Sequence, residues 1–233
     1  MVAGGGTGIG LACARALTAA GYSVTVLGRR EAPLLAAVAS GAAAGLLVAD
    51  ARTPPPLQAF SVLVNAAGVA ESAPFHRTPV EMFQRALEVN LLAAVALTHA
   101  LLPGMLAAGH GRVVHIASTA ALRGYAYTTA YTASKHALLG FCRALALEVA
   151  AKGVTVNAVC PGFTETAIVA DSIARIAARN GRGDAEARAE LTRHNPQGRL
   201  VQPEEVAAAV LYLCGDGAAA VNGVALPIAG GEI

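Results

Sequence analysis

The chain has 233 residues, of which 55% are hydrophobic and only 14% charged, with a formal net charge of +2. That length suits one large domain with a sizeable core, and the near balance of charge argues against nucleic acid as the main partner. No run of like charges suggests a tail or a membrane-binding patch, and the scattered Cys13, Cys142, Cys160 and Cys214 form no C-x-x-C pair, as expected of reduced thiols in a cytoplasmic protein.

Met1–Ala3 is a short strand stub that runs straight into a glycine loop, with no signal peptide. Gly4, Gly8 and Gly10 form G-x-x-x-G-x-G ahead of a helix predicted over Ile9–Ala20. Glycines let backbone N–H groups close on a pyrophosphate, and a helix N-terminus favours the anion. The candidate cradle is Gly4, Gly6, Thr7, Gly8, Ile9 and Gly10; the plain alternative is a glycine turn. A strand is predicted at Tyr22–Leu27, followed by Gly28-Arg29-Arg30. An acidic residue there would bind the ribose 2′-hydroxyl of NAD, whereas Arg29 and Arg30 suit a 2′-phosphate. NADP(H) is therefore preferred over NAD(H), against the alternative of a solvated arginine pair.

A helix over Glu31–Ala39 and a strand over Gly45–Ala49 come next. Asp50, followed by Ala51, is a candidate acceptor for the adenine amino group. Ala51–Phe60, with Pro54-Pro55-Pro56, stands where a crossover helix belongs and predicts a tight extended loop. After a strand at Val62–Asn65, a long helix is predicted over Pro79–Ala108. Its apolar run Leu91–Leu102 reads as a buried helix, too short for a membrane span. Asn90 is a poor helix former in an apolar stretch, so a buried amide there must find partners. The strand Arg112–Ala117 delivers Ser118 at its C-terminal end, where open α/β sheets place ligands. A helix over Thr128–Ala151, strands at Val154–Val159 and Val224–Ile228, and a helix at Pro203–Cys214 complete the alternation. Phe163–Leu200, with Gly181 and Gly183, breaks the rhythm and reads as a helical lid. The pattern predicts an α/β fold, a Rossmann-type doubly wound parallel sheet in a single domain, 1–233.

Tyr131 and Lys135 share a helix face one turn apart. A free tyrosine, with its pKa near ~10, is a poor acid or base at neutral pH, and an adjacent ammonium pulls it down. Ser118 could hold a substrate oxygen while Tyr131 moves the proton. Taken alone, Y-x-x-x-K is a weak signal that exposed helix faces also show.

Jointly these residues resemble the short-chain dehydrogenase/reductase family over essentially the whole chain. The resemblance rests on Gly4-x-x-x-Gly8-x-Gly10, Asn65-Ala66-Ala67-Gly68, Asn90, Ser118, Tyr131-x-x-x-Lys135 and Pro161-Gly162 in order. It implies that Tyr131 is the acid in carbonyl reduction and the base in alcohol oxidation. Lys135 would bind the nicotinamide ribose and lower the tyrosine pKa, Ser118 would bind the substrate oxygen, and Asn90 would anchor a water linking Lys135 to solvent. Asn65, Ala66, Ala67 and Gly68 would pass along the cofactor ribose, with Pro161, Gly162 and Thr164 at the carboxamide. The family often has threonine at Ala3, asparagine at Ala66 and aspartate at Ala229.

The segment 195–205 is most similar to the branch that handles 3-oxoacyl or 3-hydroxyacyl thioesters, so the implied substrate is a small carbonyl or alcohol, such as a coenzyme A or acyl-carrier thioester. A dehydrogenase of free alcohols, sugars or steroids, and a nucleotide-sensing protein without turnover, are the alternatives. A homotetramer is implied, with Pro79–Ala108 and Thr128–Ala151 in the main interface. His76, His99, His110, His115, His136 and His194 show no metal-ligand spacing, so no metal is expected. Cys160 reads as a packed small residue sooner than a reactive thiol. Arg175, Arg179, Arg182, Arg188, Arg193 and Arg199 are offset by Glu165, Asp171, Asp184, Glu186 and Glu190 and read as a solvated helical face; a thioester's phosphates are the minority alternative.

Overall fold

Seven parallel strands form one sheet in the order β3-β2-β1-β4-β5-β6-β7. This computed structural model describes residues 1–180 and 183–233; Gly181 and Arg182 lie outside the described residues, as do the side chains of Arg175 and Arg179. The strands are β1 (Val2–Ala3), β2 (Thr25–Gly28), β3 (Gly45–Val48), β4 (Val62–Asn65), β5 (Gly111–Ile116), β6 (Val154–Pro161) and β7 (Ala225–Ile228). Both β5 and β6 are buried along their whole length, which is why their sequences are apolar without alternation.

Helices cover both faces. On one, α1 (Gly8–Ala19) and α8 (Pro203–Cys214) pack Leu17, Val210 and Leu213 against Val2, Val26, Val64 and Val114. On the other, α4 (Ala93–Ala108) and α5 (Thr129–Val149) pack Leu97, Leu101 and Leu138 against Ala3, Leu63, Val113 and Val156. Successive strand residues thus feed opposite layers, as the pleat requires. The strand order reverses between β1 and β4, and the crevice at the C-terminal ends of those strands is where such sheets hold ligands.

Three elements differ from expectation. β2 starts at Thr25 rather than Tyr22, because β1 begins only at Val2 and pairs with Val26 and Leu27, leaving Ser23 and Val24 no ladder partner on that side. A cavity of about 270 Å³ lined by Met1, Tyr22, Val24, Phe60 and Val62 opens beneath the stub. The helix over 80–108 is not uniform: α3 (Val80–Leu87) passes through a π-turn at Glu88–Leu92 into α4. By length and composition this helix could cross a membrane, so shortness does not exclude a span as expected; instead, Ala94, Leu97, Leu101 and Met105 are buried in the core. The proline-rich crossover carries no helix, as its composition predicted. The segment after β6 forms α6 (Ala167–Asn180) and α7 (Asp184–Thr192).

Candidate active site

Gly4 turns the chain out of β1 with φ +72°, and α1 then starts so close that a Cβ on Gly10 would lie 2.1 Å from the Gly4 carbonyl oxygen. A Cβ on Gly4 would itself meet the Ala67 nitrogen at 2.8 Å. The glycine loop and the Asn65–Gly68 segment therefore lie side by side above the switch point. Thr7 precedes α1 without capping it through its side chain, and the first turn has no acidic residue. The N–H groups there face no internal anion, which fits an incoming pyrophosphate. Gly5, absent from the motif read in the sequence, is equally constrained: a Cβ would fall 2.5 Å from Val26 Cγ1. Only the β2 packing makes that visible.

Ser118 follows β5, its Oγ accepting the Ala120 N–H at 3.1 Å. Tyr131 stands in the first turn of α5, and its phenol feels the Ser118 hydroxyl. Lys135 is buried and donates from Nζ to the Ile116 carbonyl at 2.9 Å. Burial pulls the lysine down to about 8. Burial likewise raises the Tyr131 pKa above its ordinary value, the Ser118 hydrogen bond opposing this and Cys160 adding to it. The expected lowering of the tyrosine by Lys135 is not what the structure shows. The Lys135 ammonium lies 5.8 Å from the Tyr131 ring centroid, aimed at Ile116 rather than at the phenol oxygen. A phenol held protonated is a proton donor at neutral pH, and the three side chains together present a hydroxyl, an acid and an amine at one point of the sheet edge.

The family profile described as enoyl-(acyl carrier protein) reductase matches residues 3–232. A protein named as a ketoacyl reductase in Streptomyces coelicolor is 38% identical over 248 residues, covering 99% of this chain and 95% of that one. An acetoacetyl-CoA reductase of Rhizobium meliloti is 35% identical, with 100% and 97% covered. The crystal structure of a point variant of actinorhodin polyketide ketoreductase with NADPH superposes with a TM-score of 0.92 at 37% identity, covering 99% and 95%. The chain belongs to the short-chain dehydrogenase/reductase family. It is a nicotinamide-dependent oxidoreductase that interconverts a carbonyl and an alcohol.

Within this short-chain reductase the remaining expected residues fall around the same crevice. Asn90 lies in the π-turn, fully buried. Its Oδ1 accepts the Val69 N–H at 2.9 Å, and its Nδ2 donates to the Val69 carbonyl at 3.0 Å and to Ser134 Oγ at 2.9 Å. Its side chain is committed to protein groups and straps Gly68–Val69 to α5. π-turns mark functional sites in helices, and this one brings Asn90 next to Gly68, where a Cβ would sit 3.1 Å from Asn90 Oδ1 and 3.6 Å from Lys135 Nζ.

Arg29 and Arg30 are exposed at the end of β2, and Ala51 is buried. Asp50 is held by Arg52, a residue not singled out from the sequence, which grips both its oxygens, with Nη2 to Oδ2 at 2.7 Å, and bridges on to Glu88 at 3.1 Å. Those bonds from Arg52 hold the Asp50 carboxyl down at about 2. Arg52 thus brings a further cation beside Arg29, which also bears on Asp50. Pro161 ends β6, Gly162 follows, and Thr164 is buried with Oγ1 donating to the Gly162 carbonyl at 3.0 Å. Cys160 is fully buried and its thiol is pushed up to about 11 by that burial, as a packed residue's should be. Arg188 pairs with Glu165, and Arg199 with Glu205 at 2.6 Å, in keeping with a solvated, charge-balanced face.

Proposed function

We propose that this enzyme reduces the 3-oxo group of a coenzyme A or acyl-carrier thioester, with NADPH preferred to NADH. The placing of Ser118 after β5 and of Tyr131 in the first turn of α5, with Lys135 buried one turn on, carries the reaction assignment. The names of the relatives support the substrate class. The uncapped N-terminus of α1 and the close-set glycines would hold a pyrophosphate through Gly4, Gly6, Thr7, Gly8, Ile9 and Gly10. Arg29 and Arg30, exposed at the end of β2, would meet a 2′-phosphate. Asn65, Ala66, Ala67 and Gly68 would flank the ribose, and Pro161, Gly162 and Thr164 the carboxamide.

When bound, the nicotinamide cofactor supplies the hydride. Ser118 donates a hydrogen bond to the substrate carbonyl oxygen and fixes its position. Tyr131 gives that oxygen its proton; the burial that holds the phenol protonated suits it to the reducing direction. Lys135, set between Ile116 and Gly68, is placed to donate to a ribose hydroxyl. The main-chain carbonyls of the π-turn, one of which such a turn leaves without a helical partner, are the acceptors for a water beside Asn90. The helices α6 and α7 act as a lid: a Cβ on Gly8 would lie 3.3 Å from Thr166 Cγ2, so the start of this segment already overlies the glycine loop.

Four fully buried, unpaired cysteines support a reducing, cytoplasmic setting. The family resemblance suggests a homotetramer built on the helices over 80–108 and Thr129–Val149, where Leu92 and Leu147 stand exposed. The deciding experiment is NADPH and NADH oxidation against acetoacetyl thioesters, free ketones, sugars and steroids. Highest kcat/KM on a 3-oxoacyl thioester with NADPH supports the proposal. Preference for a free alcohol or sugar replaces the substrate class, and cofactor binding without any turnover replaces the enzyme by a sensor.

A further inference from the structure

The chain's last residues return to the active site. Gly230, at φ +62°, lies so close on Asn195 that a Cβ would fall 1.9 Å from Asn195 Oδ1. Asn195 is itself buried and fixed, donating to the Arg199 carbonyl at 2.9 Å and accepting the Gln197 N–H at 2.8 Å. The tail is thus seated, and it delivers the Glu232 carboxylate over Gly162, where a Cβ would be 3.2 Å from Glu232 Oε2. The other carboxylate oxygen accepts a hydrogen bond from the Tyr125 hydroxyl.

Tyr125 Oη is also 2.7 Å from Thr119 Oγ1. A carboxylate has no proton to give, so the phenol proton goes to Glu232 and the Thr119 hydroxyl serves as donor in the second contact. Thr119 is buried and opens the short turn Thr119–Ala121 that Ser118 caps. The Tyr125 ring meets Phe163 and His194 edge-on at 6.2 and 5.7 Å, and the Arg123 guanidinium lies over it at 5.3 Å. One side chain therefore joins the tail, the exit of β5 and the foot of the lid.

Resting on the reductase reading above, we propose that Tyr125 and Glu232 are positioning residues, holding the Ser118 turn through Thr119 so that the serine hydroxyl meets the substrate oxygen. A misplacement of such a group by about 1 Å costs up to about a hundredfold in rate without touching the reacting atoms.

Tyr125→Phe keeps the ring packing and removes the hydrogen bonds; Glu232→Ala removes the acceptor; Glu232→Gln keeps an acceptor oxygen. Tyr125→Phe and Glu232→Ala are each expected to lower kcat about tenfold, with substrate KM and NADPH dissociation constant within about threefold of the parent. Glu232→Gln should restore kcat to within about threefold, and the Tyr125→Phe/Glu232→Ala pair should be no worse than Tyr125→Phe alone, because one chain of contacts is broken twice. Unchanged kcat, multiplicative losses, or an effect on substrate KM alone would overturn the proposal, the last placing Glu232 against substrate instead. Amide exchange of residues 118–122 in the same folded variants tests the latch without turnover: faster exchange in Glu232→Ala supports it and an unchanged rate overturns it. If the parent turns over no carbonyl, the reductase reading fails on its own, and the exchange result still decides the latch.

Discussion

Tyr131 and Lys135 illustrate how far single residues can be read from spacing. Their common helix face and the arrival of Ser118 at a strand end were legible, because both follow from regular geometry. The electrostatics were not. Burial depends on what folds over α5, and it raises the phenol and lowers the amine instead of coupling them as neighbours. Asp50 shows the same limit: its strand-end place was readable, but its capture by Arg52 two residues on depends on the turn after β3. At β2, Arg29→Asp removes a cation from the proposed 2′-phosphate position and adds a charge that repels it. The ratio of kcat/KM for NADPH to that for NADH should fall by about tenfold or more. An unchanged ratio would remove Arg29 from cofactor choice.

Among elements, the alternation of apolar strands and Ala/Leu-rich helices was legible, since parallel strands buried on both faces leave a distinctive composition. The helix-free crossover was legible from its three prolines. The π-turn was not, because one inserted residue in a helix leaves no periodic trace over so short a span. Its reason is visible only in three dimensions: Asn90 must reach both Val69 and Ser134. Asn90→Ala would leave the Val69 N–H and carbonyl without partners, while the Ser134 hydroxyl keeps its donation to the Tyr131 carbonyl at 2.7 Å. A loss of about 3 kcal/mol in unfolding free energy is expected, at about 1–3 kcal/mol per orphaned group. Urea denaturation checks this, and a loss under about 0.5 kcal/mol would mean water replaces the amide without cost.

At the scale of the molecule, His115 couples stability to pH. It is fully buried on β5, with Thr98 Oγ1 3.4 Å from Nε2 and no partner at Nδ1. Burial first, then the nearby Lys135 charge, pushes the imidazole down to about 3. Its pKa in the unfolded chain is near ~6.5, so the unfolded state takes up the proton first as pH falls. The contribution is whole above pH ~6.5 and drains away down to about 3, the loss reaching about 2 kcal/mol at pH ~5. Between pH ~8 and ~5 the parent should therefore lose about 2 kcal/mol more stability than His115→Asn. Equal losses would show that the imidazole is not held neutral. Sedimentation tests the proposed homotetramer: the parent should have the mass of four chains and Leu92→Glu with Leu147→Glu a lower one, whereas a monomeric parent would overturn the proposal and an unchanged variant mass would move the interface elsewhere.

The account depends above all on Tyr131 delivering the proton. The most direct measurement is single-turnover NADPH oxidation by Tyr131→Phe with the preferred 3-oxoacyl thioester, alongside NADPH titration of the same variant. A positioned acid contributes about 10²–10⁴-fold, so a rate lower by about a thousandfold with cofactor binding intact is predicted. A rate within about tenfold of the parent would contradict the mechanism.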